Sequence, residues 1–286
     1  MSKADFSHRA SCPVGLMDSG VGGLSVVRVL RQRLPAENLV YAADTGRMPY
    51  GPRPAAEVCR FTSQILRFLE GHGVKAAVIA CNTATAASLP GLAEEFPFPI
   101  LGMIGAGARA AARTTRGGRV GIIATRGTVA SGEYPRALAA LGVTEVWQEA
   151  CPELPLLVEE GELAGERALT AVRGCLEPLL ARGIDTLVLG CTHFPFLAGV
   201  ISRVAGPGVA LVDPAEEVVR ELEDLLEAGG LRRESAEPGW LKLYTSGEPE
   251  RLRQMARLLL GEAAEVSRGV WMPGPQALAP ERGESP

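Results

Sequence analysis

The sequence predicts an α/β fold made of two pseudo-symmetric parallel-sheet α/β domains, with the active site in the cleft between them. Three observations carry this. Short apolar runs alternate with amphipathic helical stretches along the chain, the pattern of parallel sheets covered by helices. The segment Val14-Gly15-Leu16-Met17-Asp18-Ser19 aligns with Val120-Gly121-Ile122-Ile123-Ala124-Thr125 at an offset of 106. Ala77-Val78-Ile79-Ala80-Cys81-Asn82-Thr83 aligns with Leu187-Val188-Leu189-Gly190-Cys191-Thr192-His193 at an offset of 110. Two segment pairs at nearly one offset indicate a duplicated unit of about half the chain. In the second pair a cysteine is in register as well as the apolar pattern.

Residues 1–12 read as a flexible leader. Val14–Met17 is a first strand, closed by the glycine-rich turn Asp18–Gly23, and Leu24–Arg33 is a helix with Pro35 beyond its end. Leu39–Ala43 is the next strand, and Pro49 and Gly51 make 44–51 a loop. Val58, Phe61, Ile65, Phe68 and Leu69 fall at helical spacing, predicting a helix over 55–71. The Cys81 strand leads into a helix over 85–95, after which Pro97, Pro99 and Gly102 interrupt the chain. A helix over 104–113, a strand over 119–124 and an exit turn over 125–128 follow, then a helix over 133–141 and a strand over 144–147. Cys151–Glu159 reads as a loop entering a helix. In the helix predicted over 166–181, Gly174 and Pro178 work against continuity. The Cys191 strand, a helical turn between Pro195 and Pro207, a strand over 209–213, a helix over 215–228, a strand over 241–247 and a helix over 248–260 complete the pattern. The Pro-, Gly- and Glu-rich end reads as a flexible tail.

Composition excludes several functions. The chain has 286 residues, 47% of them hydrophobic and 22% charged, an ordinary globular balance. A net charge of −4 gives no bulk field that attracts nucleic acid or an anionic membrane. No apolar run reaches the length of a membrane span, and the start lacks the apolar core of a signal peptide, so a cytoplasmic location is expected. Six cysteines without a Cys-x-x-Cys pair, and only three histidines, support neither a disulfide framework nor a zinc site. The only lysines are Lys3, Lys75 and Lys242, none placed at a strand's carboxyl end, so pyridoxal phosphate chemistry lacks its Schiff-base residue. No metal and no cofactor are expected.

The chemistry therefore falls to the two cysteines. Each stands where a strand gives way to a helix, and a helix amino terminus lowers a thiol's pKa towards a useful base. Cys191 has His193 two residues on. Buried cysteines are commonly small hydrophobes, and that is the bland alternative for either alone. A matched pair on opposite walls of a cleft suits one task especially. One group takes a proton from a stereocentre while the other delivers a proton to the opposite face. Gly20, Gly22 and Gly23 would let a substrate carboxylate approach the following helix start, although taken alone a plain tight turn is the simpler explanation. Asp18 reads as a site carboxylate or as a helix cap. His193 reads as an acid/base partner or a structural histidine, and Glu159 as a site residue or a solvated charge.

Together the motifs Asp18-Ser19-Gly20-Val21-Gly22-Gly23-Leu24, Asp44-Thr45-Gly46-Arg47-Met48-Pro49-Tyr50-Gly51, Ala80-Cys81-Asn82-Thr83-Ala84 and Leu189-Gly190-Cys191-Thr192-His193-Phe194-Pro195 resemble the glutamate racemases, in family order over about 14–270. The resemblance implies a cofactor-independent isomerase that interconverts L- and D-glutamate and supplies D-glutamate for peptidoglycan. It implies that Cys81 removes the α-proton of D-glutamate and Cys191 that of L-glutamate. Asp18 would assist Cys81, His193 would assist Cys191, and Glu159 would support His193. Ser19, Tyr50, Gly51, Asn82, Thr83 and Thr192, with Asp18 and His193, fall on substrate-binding positions, and Thr125 and Thr128 on further contacts. Phe194 stands where many members have Tyr, and Gly46 where Ala is common. The family fold implies a first domain over 13–105 plus 213–271, a second over 106–212, and flexible tails at 1–12 and 272–286. Aspartate racemases and related dicarboxylate isomerases share the paired cysteines and remain the rival reading. Some glutamate racemases restrain DNA gyrase, but the sequence carries no feature for that partner or for a homodimer.

Overall fold

The computed structural model describes residues 9–261 and 264–271. Two all-parallel sheets organise it. The first has six strands in the order β10-β9-β2-β1-β3-β4, formed by Val14–Asp18 (β1), Leu39–Ala43 (β2), Ala76–Ile79 (β3), Ile100–Gly102 (β4), Leu241–Thr245 (β9) and Glu265–Arg268 (β10). The second has four in the order β6-β5-β7-β8, formed by Arg119–Ala124 (β5), Glu145–Ala150 (β6), Thr186–Gly190 (β7) and Ala210–Val212 (β8).

The order β2-β1-β3-β4 in the first sheet matches β6-β5-β7-β8 in the second. Val14 pairs with Ala76 and Val120 with Thr186, so the offsets of 106 and 110 recur in the strand register. The duplication read from the sequence is therefore present in the hydrogen-bond ladder.

Eleven helices among the described residues cover the sheets. Leu24–Arg33 (α1), Ala55–Gly71 (α2), Asn82–Leu92 (α3) and Met103–Thr114 (α4) lie between strands of the first half or lead out of it. Arg126–Ser131 (α5), Glu133–Ala139 (α6), Glu153–Glu160 (α7), Glu166–Leu180 (α8) and Ala198–Ala205 (α9) belong to the second. Pro214–Ala228 (α10) and Pro249–Leu260 (α11) return to the first sheet. Strands buried on both faces read as continuous apolar runs. In β1, Leu16 faces a core shared with α1, α10 and α11 through Val26, Val218 and Leu252. Met17 faces the opposite core with Phe61 and Ile65 of α2. In the second half Leu187 and Leu189 face Leu157, Val172 and Leu176, while Val188 faces Ala108 and Leu138. The boundary expected at 105/106 falls inside α4, whose Ala106 joins the first half's core and whose Ala108 joins the second's.

Several expectations need correction. The first segment is structured from residue 9: residues 9–11 are helical, and Lys75 Nζ donates to Ala10 O at 2.7 Å. Residues 1–8 and the tail from 272 lie outside the described residues. The interruption at 97–102 contains β4, and the polar segment 265–268 forms the edge strand β10. Residues 126–131 form α5 rather than only an exit turn. α8 runs unbroken through Gly174 and Pro178. The helix expected over 85–95 begins at Asn82, because the Cys81 side chain caps it by accepting from Ala84 N. Lys75 stands away from the strands' carboxyl ends, as expected, and also binds Glu37 Oε2 at 2.5 Å and Leu231 O at 2.7 Å. No described helix is long and apolar enough to cross a membrane.

Candidate active site

β1, β3, β5 and β7 all deliver their carboxyl ends to one cavity of about 250 Å³. Both Cys81, just past β3, and Cys191, just past β7, lie on its wall, each 6% exposed. Ser19, Tyr50, Gly51, Asn82, Thr83, Thr125, Thr192 and His193 line it as well. Asp18, Glu159 and Thr128 stand behind that wall.

The two thiols have different neighbours. Cys81 Sγ lies 3.6 Å from Ser19 Oγ and 3.4 Å from the donating Ala84 N. Burial pushes its pKa up to about 12, and the Asp18 charge adds to the rise, while the Ala84 N–H and Ser19 oppose it. The sequence argument from the helix start predicted a thiol tuned downward; burial outweighs that local effect. Cys191 Sγ lies 3.6 Å from His193 Nδ1, and His193 Nε2 lies 2.9 Å from Glu159 Oε1. Burial alone would lower His193, but its bonds to Cys191 and Glu159 hold it well above the ordinary histidine value. Burial would raise Glu159, yet His193, the Val21 N–H and Arg251 bring it below the usual carboxylate value.

Asp18 ends β1 fully buried and bridges the halves. Its Oδ1 accepts from Gly20 N at 2.8 Å and its Oδ2 from the Thr192 hydroxyl at 3.0 Å. Burial raises its pKa to about 6, against the opposing His193 charge and these hydrogen bonds. Asp18 thus acts on Cys81 through its charge, while Ser19 is the hydrogen-bonding neighbour of that sulfur.

The glycine turn packs the two halves together. Val21 N donates to Glu159 Oε1 at 3.1 Å, so a protein carboxylate occupies one of the turn's donors. A Cβ at Gly22 would stand 2.5 Å from both His193 Nδ1 and Thr192 Oγ1. The missing side chains therefore admit the second half's histidine and threonine, bringing one half's backbone against the other's imidazole.

Asn82 Oδ1 accepts from the Tyr134 hydroxyl at 2.8 Å, whereas its buried Nδ2 has no partner among the described residues. Thr83, Thr125 and Thr128 form a hydroxyl cluster across the seam, with Oγ1 separations of 2.7 Å (83–125), 3.2 Å (83–128) and 3.0 Å (125–128). The Tyr50 hydroxyl is engaged by the Asp44 carboxylate, so a ligand meets other parts of this residue. Asp44 also takes Arg47 Nε, Ser246 Oγ and Trp271 Nε1, each at 2.7 Å, and thereby anchors the 44–51 loop.

The family model for Asp/Glu/hydantoin racemases matches residues 14–222. The chain belongs to that family. A glutamate racemase of Symbiobacterium thermophilum is 46% identical over 246 residues, covering 85% of this chain and 89% of the relative. The crystal structure of a glutamate racemase isoform from Bacillus anthracis superposes with a TM-score of 0.86 at 37% identity, covering 90% of this chain and 97% of that one. The glutamate racemase of Francisella tularensis in complex with D-glutamate gives 0.84 at 28% identity, covering 93% and 99%.

For a racemase, the cavity groups all but three of the residues singled out from sequence, and those three brace its wall from behind. Sequence reasoning did not nominate Asp44, Tyr134, Arg126, Met48 or the 152–156 segment. Asp44 was visible inside a motif, but its role depends on Ser246 and Trp271, some 200 residues away. Tyr134 sits in α6 with no local signal that its hydroxyl reaches Asn82. Pro152, Pro155 and Leu156 line the cavity because α7 must be there to bring Glu159 to His193.

Proposed function

We propose that this protein is a glutamate racemase that works by two bases, Cys81 and Cys191, without a cofactor. The observation that carries the reading is the placement of two thiols, at equivalent strand ends of two matching sheets, on one cavity of about 250 Å³. Such an arrangement presents one acid/base group to each face of a stereocentre.

The neighbouring groups fit an amino dicarboxylate. The unpartnered Asn82 Nδ2 and the Thr83 hydroxyl, whose proton is free to turn from the threonine cluster, are placed to receive the α-carboxylate. Their hydrogen bonds strengthen as negative charge spreads onto that carboxylate during removal of the α-proton. The Asp18 carboxylate favours the substrate's ammonium. That cation, arriving beside Cys81, lowers its pKa and offsets the burial that holds the thiol protonated in the free protein. Cys81 removes the proton of D-glutamate while Cys191, steadied by His193 and Glu159, delivers one to the other face. For L-glutamate the roles reverse. Segments 13–105 plus 213–271 and 106–212 act as the two domains, and their closure over the substrate excludes water. The product's role is supply of D-glutamate for peptidoglycan. The glutamate racemases named above, two of them matched in structure, support this substrate over aspartate.

Incubation of L-glutamate and L-aspartate with protein in deuterium oxide, without added metal or cofactor, tests the reading. Chiral chromatography is expected to show D-glutamate carrying deuterium at Cα, with aspartate unchanged. Racemisation of aspartate in preference to glutamate, or none of either, would overturn it.

A further inference from the structure

The cavity has an imbalance of charge that the proton-transfer machinery does not address. Two buried carboxylates, Asp18 and Glu159, stand behind its wall, and the whole chain carries −4. His193, whose partners hold its titration above the ordinary histidine value, is already paired with Glu159. A substrate with two carboxylates and one ammonium has net negative charge, and this surface would repel it.

Among the lining residues, Arg126 is the single lysine or arginine. It is exposed at the start of α5, and among the described residues its guanidinium has no hydrogen bond, ion pair or ring contact. The arginines on the facing loop are engaged instead: Arg47 by Asp44 and Gln64, and Arg53 by Glu57 and the carbonyls of Arg47 and Pro49.

The backbone beneath Arg126 is held on both flanks. A Cβ at Gly127 would come within 2.8 Å of Gly51 O and 3.0 Å of Thr83 Cγ2, and one at Gly51 within 3.1 Å of Thr125 Cβ. The residue is thus fixed where the two halves meet, while its side chain remains uncommitted. That combination is ill suited to a structural arginine and well suited to one that waits for an anion.

We propose that Arg126 is the recruiting cation of this cavity, a positioning residue that draws in the net-negative amino dicarboxylate and holds it at the mouth without taking part in proton transfer. The proposal rests on the substrate reading above. A single unscreened charge at a cleft mouth raises the capture rate, and salt removes the advantage within a Debye length.

Steady-state kinetics of the wild type, Arg126→Ala, Arg126→Lys and Arg126→Glu, from about 20 mM to about 500 mM salt, test it. At low salt Arg126→Ala is expected to raise KM about five- to tenfold with kcat within about twofold, and the difference should shrink as salt rises. Arg126→Lys should recover most of the loss, and Arg126→Glu should fall below Arg126→Ala. A drop in kcat with unchanged KM, or a loss indifferent to salt, overturns the proposal. Calorimetric binding of D-glutamate to the wild type and Arg126→Ala separates the two readings. Salt-dependent, Arg126-dependent affinity in a protein that does not racemise glutamate keeps this inference and removes the racemase reading. Normal racemisation with salt-insensitive binding in both proteins does the reverse, and no glutamate binding by the wild type removes both.

Discussion

The two halves share a backbone plan and differ in the chemistry set upon it. Cys81 and Cys191 end equivalent strands, yet one sulfur faces a serine hydroxyl and the other a histidine braced by a glutamate. At the offset of 106 that relates β1 to β5, Asp18, the last residue of β1, corresponds to Ala124, the last of β5. Thr83 corresponds to His193 at the offset of 110, and Gly22 to Thr128 at 106. Duplication thus places two thiols with near symmetry, while a few substitutions past each strand decide what each thiol meets. A reaction between mirror images needs the first property. On the two-base proposal, the second means that symmetry of the reaction does not require symmetry of the catalyst.

The largest expected effect breaks the pair outright. Cys81→Ala and Cys191→Ala should each lower racemisation at least about 10³-fold in both directions, because each direction uses one thiol as base and the other as acid. What sharpens the comparison is hydrogen exchange. In deuterium oxide, Cys81→Ala is expected to exchange the α-proton of L-glutamate alone, and Cys191→Ala that of D-glutamate alone. Exchange of the same enantiomer by both variants would mean that the assignment of thiols to faces is wrong.

Asp18, with no counterpart in the second half, should have a stability cost. Its folded pKa of about 6 lies above the ordinary 3.8, so the folded state binds the proton more tightly than the unfolded chain. Folding is therefore penalised as pH rises from about 4 through about 6, and above that the cost is constant at about 3 kcal/mol. Asp18→Asn removes the ionised group while keeping an acceptor for the Gly20 N–H. Thermal unfolding should show the variant more stable at pH 8, with the advantage fading towards pH 4, alongside much reduced turnover. A variant equally destabilised at both pH values would count against this account.

Glu159 tests the second half alone. Burial lowers His193, and Glu159 with Cys191 overrides it. Glu159→Gln should therefore move the imidazole titration downward, observable by NMR of the labelled ring. The stability His193 gains from its partners is present below pH 6.5 and lost as pH rises through its folded value, so that loss should shift to lower pH in the variant. Because the equilibrium constant between enantiomers is one, kcat/KM must fall by the same factor in both directions, about tenfold. The asymmetry should appear in the primary isotope effects, which distinguish the two proton removals. An unchanged imidazole titration would separate Glu159 from His193's charge.

Much of this comparison was legible in the sequence, and the illegible part has a physical pattern. The cysteine strands, the repeat offset and the glycine turn announced themselves because local backbone geometry dictates their residues. The edge strands β4 and β10 did not, since three or four residues with Gly or charges carry no usable alternation. The thiol shift predicted from the helix start pointed the wrong way for Cys81, because burial is a property of the assembled halves. Likewise the glycines signalled close approach correctly, but what approaches is His193, about 170 residues on.

The smallest effect probes the mirror-image contact. His193 lies against Gly22 in the first half, and its counterpart Thr83 reaches Thr125 and Thr128 in the second. One contact requires an absent side chain; the other uses a hydroxyl cluster. Thr128 is fully buried and sits behind the cavity wall, so its hydroxyl ties the seam without facing the ligand. Thr128→Val keeps the shape, removes the bonds at 3.2 Å and 3.0 Å, and leaves the Thr83–Thr125 bond at 2.7 Å. Chemical denaturation should show a loss of about 0.5–1.5 kcal/mol, the usual net worth of such bonds. Racemisation should keep its kcat, with KM changed about twofold as the Thr83 hydroxyl loosens. A tenfold loss in kcat would instead put Thr128 in contact with the substrate. The second half's turn would then serve the ligand directly, as the first half's glycine turn was expected to do, and the contrast between the halves at this point would disappear.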